Sequence, residues 1–173
     1  MIESESYYPT AKYDGVVRNV TIALWILLIG ESVFFVYLFY TILPFSSLSM
    51  VIAVFIPVLS ICVLLIPYLF KPKGFLFQSK DLIIQRLMTD ISLPYEEISR
   101  IERGKWSWKV VRLGGSGGLY GYLGLFHFFN LGRVWMYATN RNKLVLIELN
   151  NGKRYAISPE DVEAFILRIN ELV

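Results

Sequence analysis

The stretch VTIALWILLIGESVFFVYLFYTI (Val20–Ile42), followed after LPFSS (43–47) by LSMVIAVFIPVLSICVLLIPYLF (Leu48–Phe70), decides the architecture of this chain. From Asn19 to Phe70 the only charged side chain is Glu31. A helix rises about 1.5 Å per residue and a bilayer core is about 30 Å thick, so each half is long enough to span. Backbone groups in lipid must pair within their own segment, which makes helices the reading for both. The proline and serines at 43–47 predict a tight antiparallel turn between them. The result is a two-span transmembrane helical hairpin over 19–70, with spans at about 20–43 and 48–70.

Basic residues orient the hairpin. Lys12 and Arg18 precede it, Lys71, Lys73, Lys80 and Arg86 follow it, and the turn has none. Positive charge stays inside, so both termini are expected in the cytoplasm of a cell whose cytoplasmic membrane holds the spans. Residues 1–18 then form a cytoplasmic tail. A cleavable signal peptide fits poorly, because that tail carries Glu3, Glu5 and Asp14 and the apolar stretch is too long.

The averages for the 173 residues, 55% hydrophobic and 18% charged, blend two compartments. Outside 19–70, 121 residues hold 30 of the 31 Asp, Glu, Lys and Arg, an ordinary soluble density. A single globular core, a disordered tail protein and a disulfide scaffold are excluded, the last because Cys62 is the sole cysteine.

Glu31 is the anomaly of the hairpin. A carboxylate near the bilayer centre costs about 2.5 kcal/mol or more, so it is expected neutral or paired within the protein. It lies at roughly the depth of Leu59 and Ser60, which makes Glu31 and Ser60 the candidate helix–helix contact; Ser32 or a neighbouring subunit are the other partners considered. Pro57 should kink the second helix, and Pro67 lies near its end.

Residues 71–173 are enough for one domain. Short extended runs are read at 75–77, 82–88, 91–95, 98–106, 133–139, 144–149 and 153–157. Asn150-Asn151-Gly152 between the last two is a hairpin signal, because Asn and Gly tolerate positive φ. The period then changes. Ser158 as N-cap, Pro159 at the first helical position and the acids Glu160 and Asp161 open a helix whose Val162, Phe165, Ile166, Ile169 and Leu172 share one face. About seven strands and a C-terminal helix make this half an α+β domain.

That order resembles the pleckstrin-homology-like fold. The run Arg112-Leu113-Gly114-Gly115-Ser116-Gly117-Gly118-Leu119-Tyr120-Gly121-Tyr122-Leu123-Gly124 resembles the glycine-aromatic signature of a prokaryotic PH-like family. Leu131-Gly132-Arg133, Tyr137-Ala138-Thr139-Asn140, Leu144-Val145-Leu146-Ile147 and Ile157-Ser158-Pro159 with Phe165 extend the likeness. It implies a PH-like antiparallel β-barrel or sandwich capped by one helix, and a membrane hairpin often precedes such domains. It implies little about activity. The basic β1–β2 loop through which eukaryotic PH domains hold phosphoinositides is not evident, since the corresponding turn offers Lys80 beside Asp81.

Chemistry is sparse. Gly114-Gly115-Ser116-Gly117-Gly118 lacks the lysine and hydroxyl residue of a P-loop and reads as a structural loop; an anion-binding nest is the alternative. His127 stands alone between Phe126 and Phe128, no His/Cys set suits a metal, and no nucleophile has a base. No cofactor is expected, and no enzyme. The informative feature is charge: between Ser99 and Lys143 eight basic residues face one acid, a net +7 in 45 residues, with aromatics interleaved. Lys105, Trp106, Trp108, Lys109, Arg112 and Arg133 are therefore the candidate contacts to an anionic surface or ligand. The competing reading is a solvated face over an aromatic core. Nucleic acid is not expected at a membrane tether without a recognition motif.

The expected function is a non-enzymatic membrane-anchored adaptor that binds a partner protein, the anionic inner membrane surface, or both. The expected partners are the lipid bilayer and a protein, either another protein or a second copy. An auxiliary subunit of a transporter or other membrane complex, assembled through Glu31, is the alternative.

Overall fold

The computed structural model describes residues 6–41 and 47–173. Two long helices dominate its first half: α1 (Gly15–Thr41) and α2 (Ser47–Phe70). Both are long and apolar enough to cross a membrane. They pack side by side, and α2 runs unbroken through Pro57 and Pro67. The turn expected between them lies outside the described residues.

The rest of the chain forms two sheets. The strands are β1 (Ser6–Pro9), β2 (Pro72–Phe77), β3 (Asp81–Arg86), β4 (Ile91–Pro94), β5 (Ile98–Gly104), β6 (Val110–Gly117), β7 (Tyr122–Phe128), β8 (Gly132–Ala138), β9 (Leu144–Leu149) and β10 (Arg154–Ile157). The first sheet has the order β1-β2-β3-β4; the second has β5-β9-β10-β8-β7-β6. All pairs are antiparallel except β8 with β10, which run parallel. A short C-terminal helix, α3 (Val162–Asn170), closes the domain.

Alternation builds the core. Phe75, Phe77, Leu82, Ile84 and Leu93 of the first sheet meet Tyr137, Val145, Ile147, Leu149 and Ile157 of the second, and Val162, Phe165 and Ile169 of α3 fill the space between. The opposite face of the second sheet buries another cluster, including Phe126, Val134, Met136 and Leu144. Its two edge strands, β5 and β6, are not paired, so the sheet curls without closing into a barrel. The sandwich form of the expectation is the one observed.

Three strands were not foreseen. β6 and β7 occupy the glycine-rich run expected to be a loop, and they pair from Val110↔Phe128 to Gly117↔Tyr122. Gly115 and Gly124 sit opposite each other with φ of +103° and +109°, and a Cβ on Gly115 would meet the Leu123 carbonyl oxygen at 2.0 Å. Glycine here permits pairing across a bulge instead of preventing it. The third strand, β1, comes from the N-terminal tail and pairs with β2.

The cap of α3 is also corrected. Asp161, not Ser158, is its N-cap and accepts from the Ala164 amide at 3.0 Å. Ser158 is fully buried, its hydroxyl accepting from the Thr139 amide at 2.7 Å.

Candidate functional site

Asp14 joins the helices to the domain. It is buried, and its Oδ1 accepts from the Val17 amide at 2.9 Å, which caps α1. Its Oδ2 accepts from the Arg141 amide at 3.1 Å and from the Tyr122 hydroxyl at 3.3 Å. Burial, aided by the adjacent Asp14 charge, pushes the Tyr122 phenol up to about 12. One turn along α1, Val17 is fully buried in the second core, so the first turns of the helix belong to the domain.

The β6–β7 turn completes the joint. Thr21 is buried; its Oγ1 accepts from the Tyr120 amide at 3.0 Å and donates to the Gly118 carbonyl at 3.3 Å. Leu119 and Tyr120 are thereby set against Leu64 of α2 and Leu24 and Leu28 of α1. Tyr120 holds a φ of +58°, a conformation that a non-glycine residue adopts only when its surroundings over-determine it. Its ring stacks edge-on to Tyr68 at 5.3 Å, and the Lys71 ammonium lies 4.3 Å from the Tyr68 ring. Burial lowers the Lys71 pKa, with the Lys73 charge a smaller cause.

The six basic and aromatic candidates do not form one patch. Trp106 turns inward and packs on Tyr122, Phe126 and Phe128 of the second core, ring centroids 4.9, 6.4 and 6.3 Å away. Trp108 is 86% exposed, and Lys109 lies 5.4 Å from its ring and 5.1 Å from that of Phe129, itself 72% exposed. Lys105 is exposed nearby and shares a hollow with Lys109. Arg133 stands in a cross-strand row with His127 and Val111. Arg112 is the third residue of β6, but its side chain reaches along the strand toward the helix end, over Gly115 and Gly117.

The hairpin thus has two ends. Its turn, 118–121, is clamped between α1 and α2, whereas Trp108, Lys109 and Phe129 crown the other end. Seven residue steps from Gly117 to Val110, at about 3.3 Å each, separate the two by about 23 Å.

At the near end, a cleft of about 580 Å³ lies between the helices and the face of β6–β8 that carries Leu123, Trp135 and Tyr137. Arg86 and Arg112 line it together with Leu24, Val63, Phe70 and Trp135. A second groove of about 630 Å³, on another side of the helix pair, contains Ser32 and Ser60. Ser60 donates to the Ile56 carbonyl of its own helix at 3.0 Å, and Ser32 to Leu28 at 2.8 Å. Glu31 is half-buried, does not line that groove, and makes no hydrogen bond or ion pair with any described residue. The expected Glu31–Ser60 hydrogen bond is therefore not formed; each serine hydroxyl is satisfied by its own helix.

Three residues of these candidate sites were missed. Asp14 entered only as a charge against a leader, Arg86 only as an orienting cation, and Phe129 only within the unnamed aromatics between Ser99 and Lys143. The Asp14–Val17 spacing is an N-cap signal that could have been read; the meeting of Arg86 and Arg112 in one cleft has no local signal. Among the described residues no group of His, Cys, Asp or Glu could hold a metal ion.

A family model described as bacterial PH domain matches residues 73–173. The comparisons with curated proteins and with solved structures return no match.

Proposed function

This chain belongs to the bacterial PH domain family, and from that premise we propose that it is a non-enzymatic membrane-anchored adaptor, whose helices hold the PH domain at the cytoplasmic membrane and whose far hairpin end binds a partner protein. Both termini lie in the cytoplasm, on the side of the basic flanks. What carries the reading is the cluster Trp108–Lys109–Phe129: two aromatic rings left largely in water with a cation between them. Aromatic residues are enriched at protein interfaces and Trp among their hot spots, and burying both rings on a partner would exclude water from a large apolar area. The edge of β6, with Val111 and Leu113 exposed beside the cluster, offers unpaired backbone groups for strand addition. The partner is expected to present acidic groups beside an apolar pocket. Lipid contact falls to the near end of the hairpin, about 23 Å away.

A photo-crosslinking amino acid at Trp108 tests this in intact membranes. The expected product is a protein adduct of defined mass, lost when Lys109→Glu and Phe129→Ala are combined. Adducts with lipid alone would make the far end a bilayer contact and overturn the partner reading.

A second reading rests on Glu31. An unpartnered mid-span carboxyl is unfavourable in lipid, so a further helix, from another protein or a second copy, supplies its partner. Glu31→Ala should then reduce the mass of the detergent-extracted complex; an unchanged complex would count against assembly through the hairpin.

A further inference from the structure

The geometry points to a binding site for one anionic phospholipid in the cleft between the helices and the β6–β8 face, with the phosphate on Arg86 and Arg112 and an acyl chain along α1 and α2. Two groups of residues, remote in sequence, make the site. The first is the arginine pair. Arg86 and Arg112 are 26 positions apart in the chain, yet both line the cleft. Neither has a carboxylate partner among the described residues. Arg86 donates through Nε to the Thr89 carbonyl at 2.5 Å and through Nη2 to the Thr89 hydroxyl at 2.8 Å. Its guanidinium is held against the rings of Tyr137 and Phe70, 5.1 and 5.7 Å away. Arg112 donates through Nη1 to the Gly115 carbonyl at 3.2 Å, and its stem lies over Gly117, where a Cβ would come 3.4 Å from its Cδ. A guanidinium has five N–H donors, so each arginine is oriented by the protein while keeping donors for an incoming anion.

The second group is the apolar wall. Leu24 and Val63 belong to the charge-free helices, and Val63 lies seven residues before the end of α2, about 10 Å along its axis. The cleft therefore runs from hydrocarbon depth to two cations at the helix ends. A soluble anion would satisfy the arginines and leave the wall bare. A peptide strand would carry backbone amides into hydrocarbon, where each unpaired group costs several kcal/mol. An amphiphile with a phosphate head and an alkyl tail matches both parts. The volume of about 580 Å³ accommodates a headgroup and the first part of a chain. Trp135 at the mouth provides the amphipathic ring that settles at headgroup level.

This inference rests on the reading of α1 and α2 as membrane spans, and the test separates the two. Full-length protein in mild detergent is exposed to phosphatidylglycerol, phosphatidylcholine or inorganic phosphate, and retained lipid per chain is read by native mass spectrometry. One phosphatidylglycerol per chain is expected to be retained while phosphatidylcholine is lost. Arg86→Ala and Arg112→Ala should each weaken retention about five- to tenfold. Val63→Trp, which fills the wall and leaves the charges, should also release the lipid. Trp108→Ala, at the far end, should not. Displacement of the lipid by inorganic phosphate would reduce the site to a bare anion site, and equal retention of phosphatidylcholine would reduce it to a greasy groove; either outcome overturns the proposal. Should the arginine variants fail to fold, Val63→Trp decides, because unchanged retention there removes the acyl wall from the site. A wild-type chain released from membranes by alkaline carbonate would overturn the spans themselves. A chain that stays inserted and retains no phosphatidylglycerol overturns the lipid site alone.

Discussion

Asp14→Ala is expected to destabilise the full chain by on the order of 3 kcal/mol. The cap of α1 accounts for about 1 kcal/mol, because the Val17 amide loses its acceptor in a buried setting. The remainder comes from the Arg141 amide and the Tyr122 hydroxyl, each left without the carboxylate it faces and each worth about 1 kcal/mol or more when buried. Thermal unfolding of the detergent-solubilised chain, followed by tryptophan fluorescence, measures it. A fall in Tm of about 6 °C or more is the expected result. Asp14→Asn, which keeps an acceptor for the cap, should recover about half of the loss. A Tm within about 1 °C of wild type for Asp14→Ala would show that the helices and the domain are not joined through this residue. The consequence is functional as well as structural. In the proposed adaptor role the binding end can be held at a set height only if the domain does not swing on its anchor, and Asp14 with Thr21 ties α1 to both β7 and the β6–β7 turn.

The second large effect lies at Phe165. Its ring is fully buried and stands 5.5 Å from Tyr8, 5.5 Å from Phe75 and 5.1 Å from Phe77. Phe165→Ala removes that ring from the junction of α3, the first sheet and β1, leaving a cavity that rigid strands cannot collapse into. A loss of about 3–5 kcal/mol follows. Because Tyr8 belongs to β1, Tyr8→Ala should be less than additive with Phe165→Ala in a double-mutant cycle. Additive effects would mean that the strand supplied by the N-terminal segment packs independently of the core it covers.

Elements announced by composition or by local turn chemistry were legible from sequence. The two apolar helices follow from a near absence of charge, which no tertiary context can reverse. The β9–β10 hairpin follows from Asn151-Gly152, with Gly152 at a φ of +78° as such a turn requires. Val162, Phe165 and Ile169 on one face of α3 follow from helical period. β6 and β7 were not legible, because glycine carries no hydrophobic alternation and its usual meaning is a turn. The cap of α3 was misread for a related reason: Ser158 and Asp161 are both good caps by residue type, and only the pairing of Ser158 with Thr139 removes one of them from competition.

The site was less legible than the fold. A run of cations and aromatics between Ser99 and Lys143 was visible, but it reads as one surface when written in a line. Folding turns Trp106 inward and separates Lys109 from Arg112: the first stacks on Trp108 and Phe129 before β6 begins, while the second extends its side chain along β6 over Gly115 and Gly117. It also brings Arg86, from β3 on the other sheet, into the cleft that Arg112 lines.

What the sequence determined by itself is therefore whatever depends on one segment and its solvent: two apolar helices, a strand-rich domain with a terminal helix, and a basic, aromatic surplus. What only the tertiary structure decided is whatever depends on the meeting of distant segments. That includes β1 on the first sheet, the Asp14 joint, and the division of the basic surplus into a far end and a cleft against the helices. The physical reason is that burial and hydrogen bonding at these places are shared between residues remote in the chain, as between Tyr8 and Phe165 or Ala11 and Thr139, and neither partner alone carries the signal.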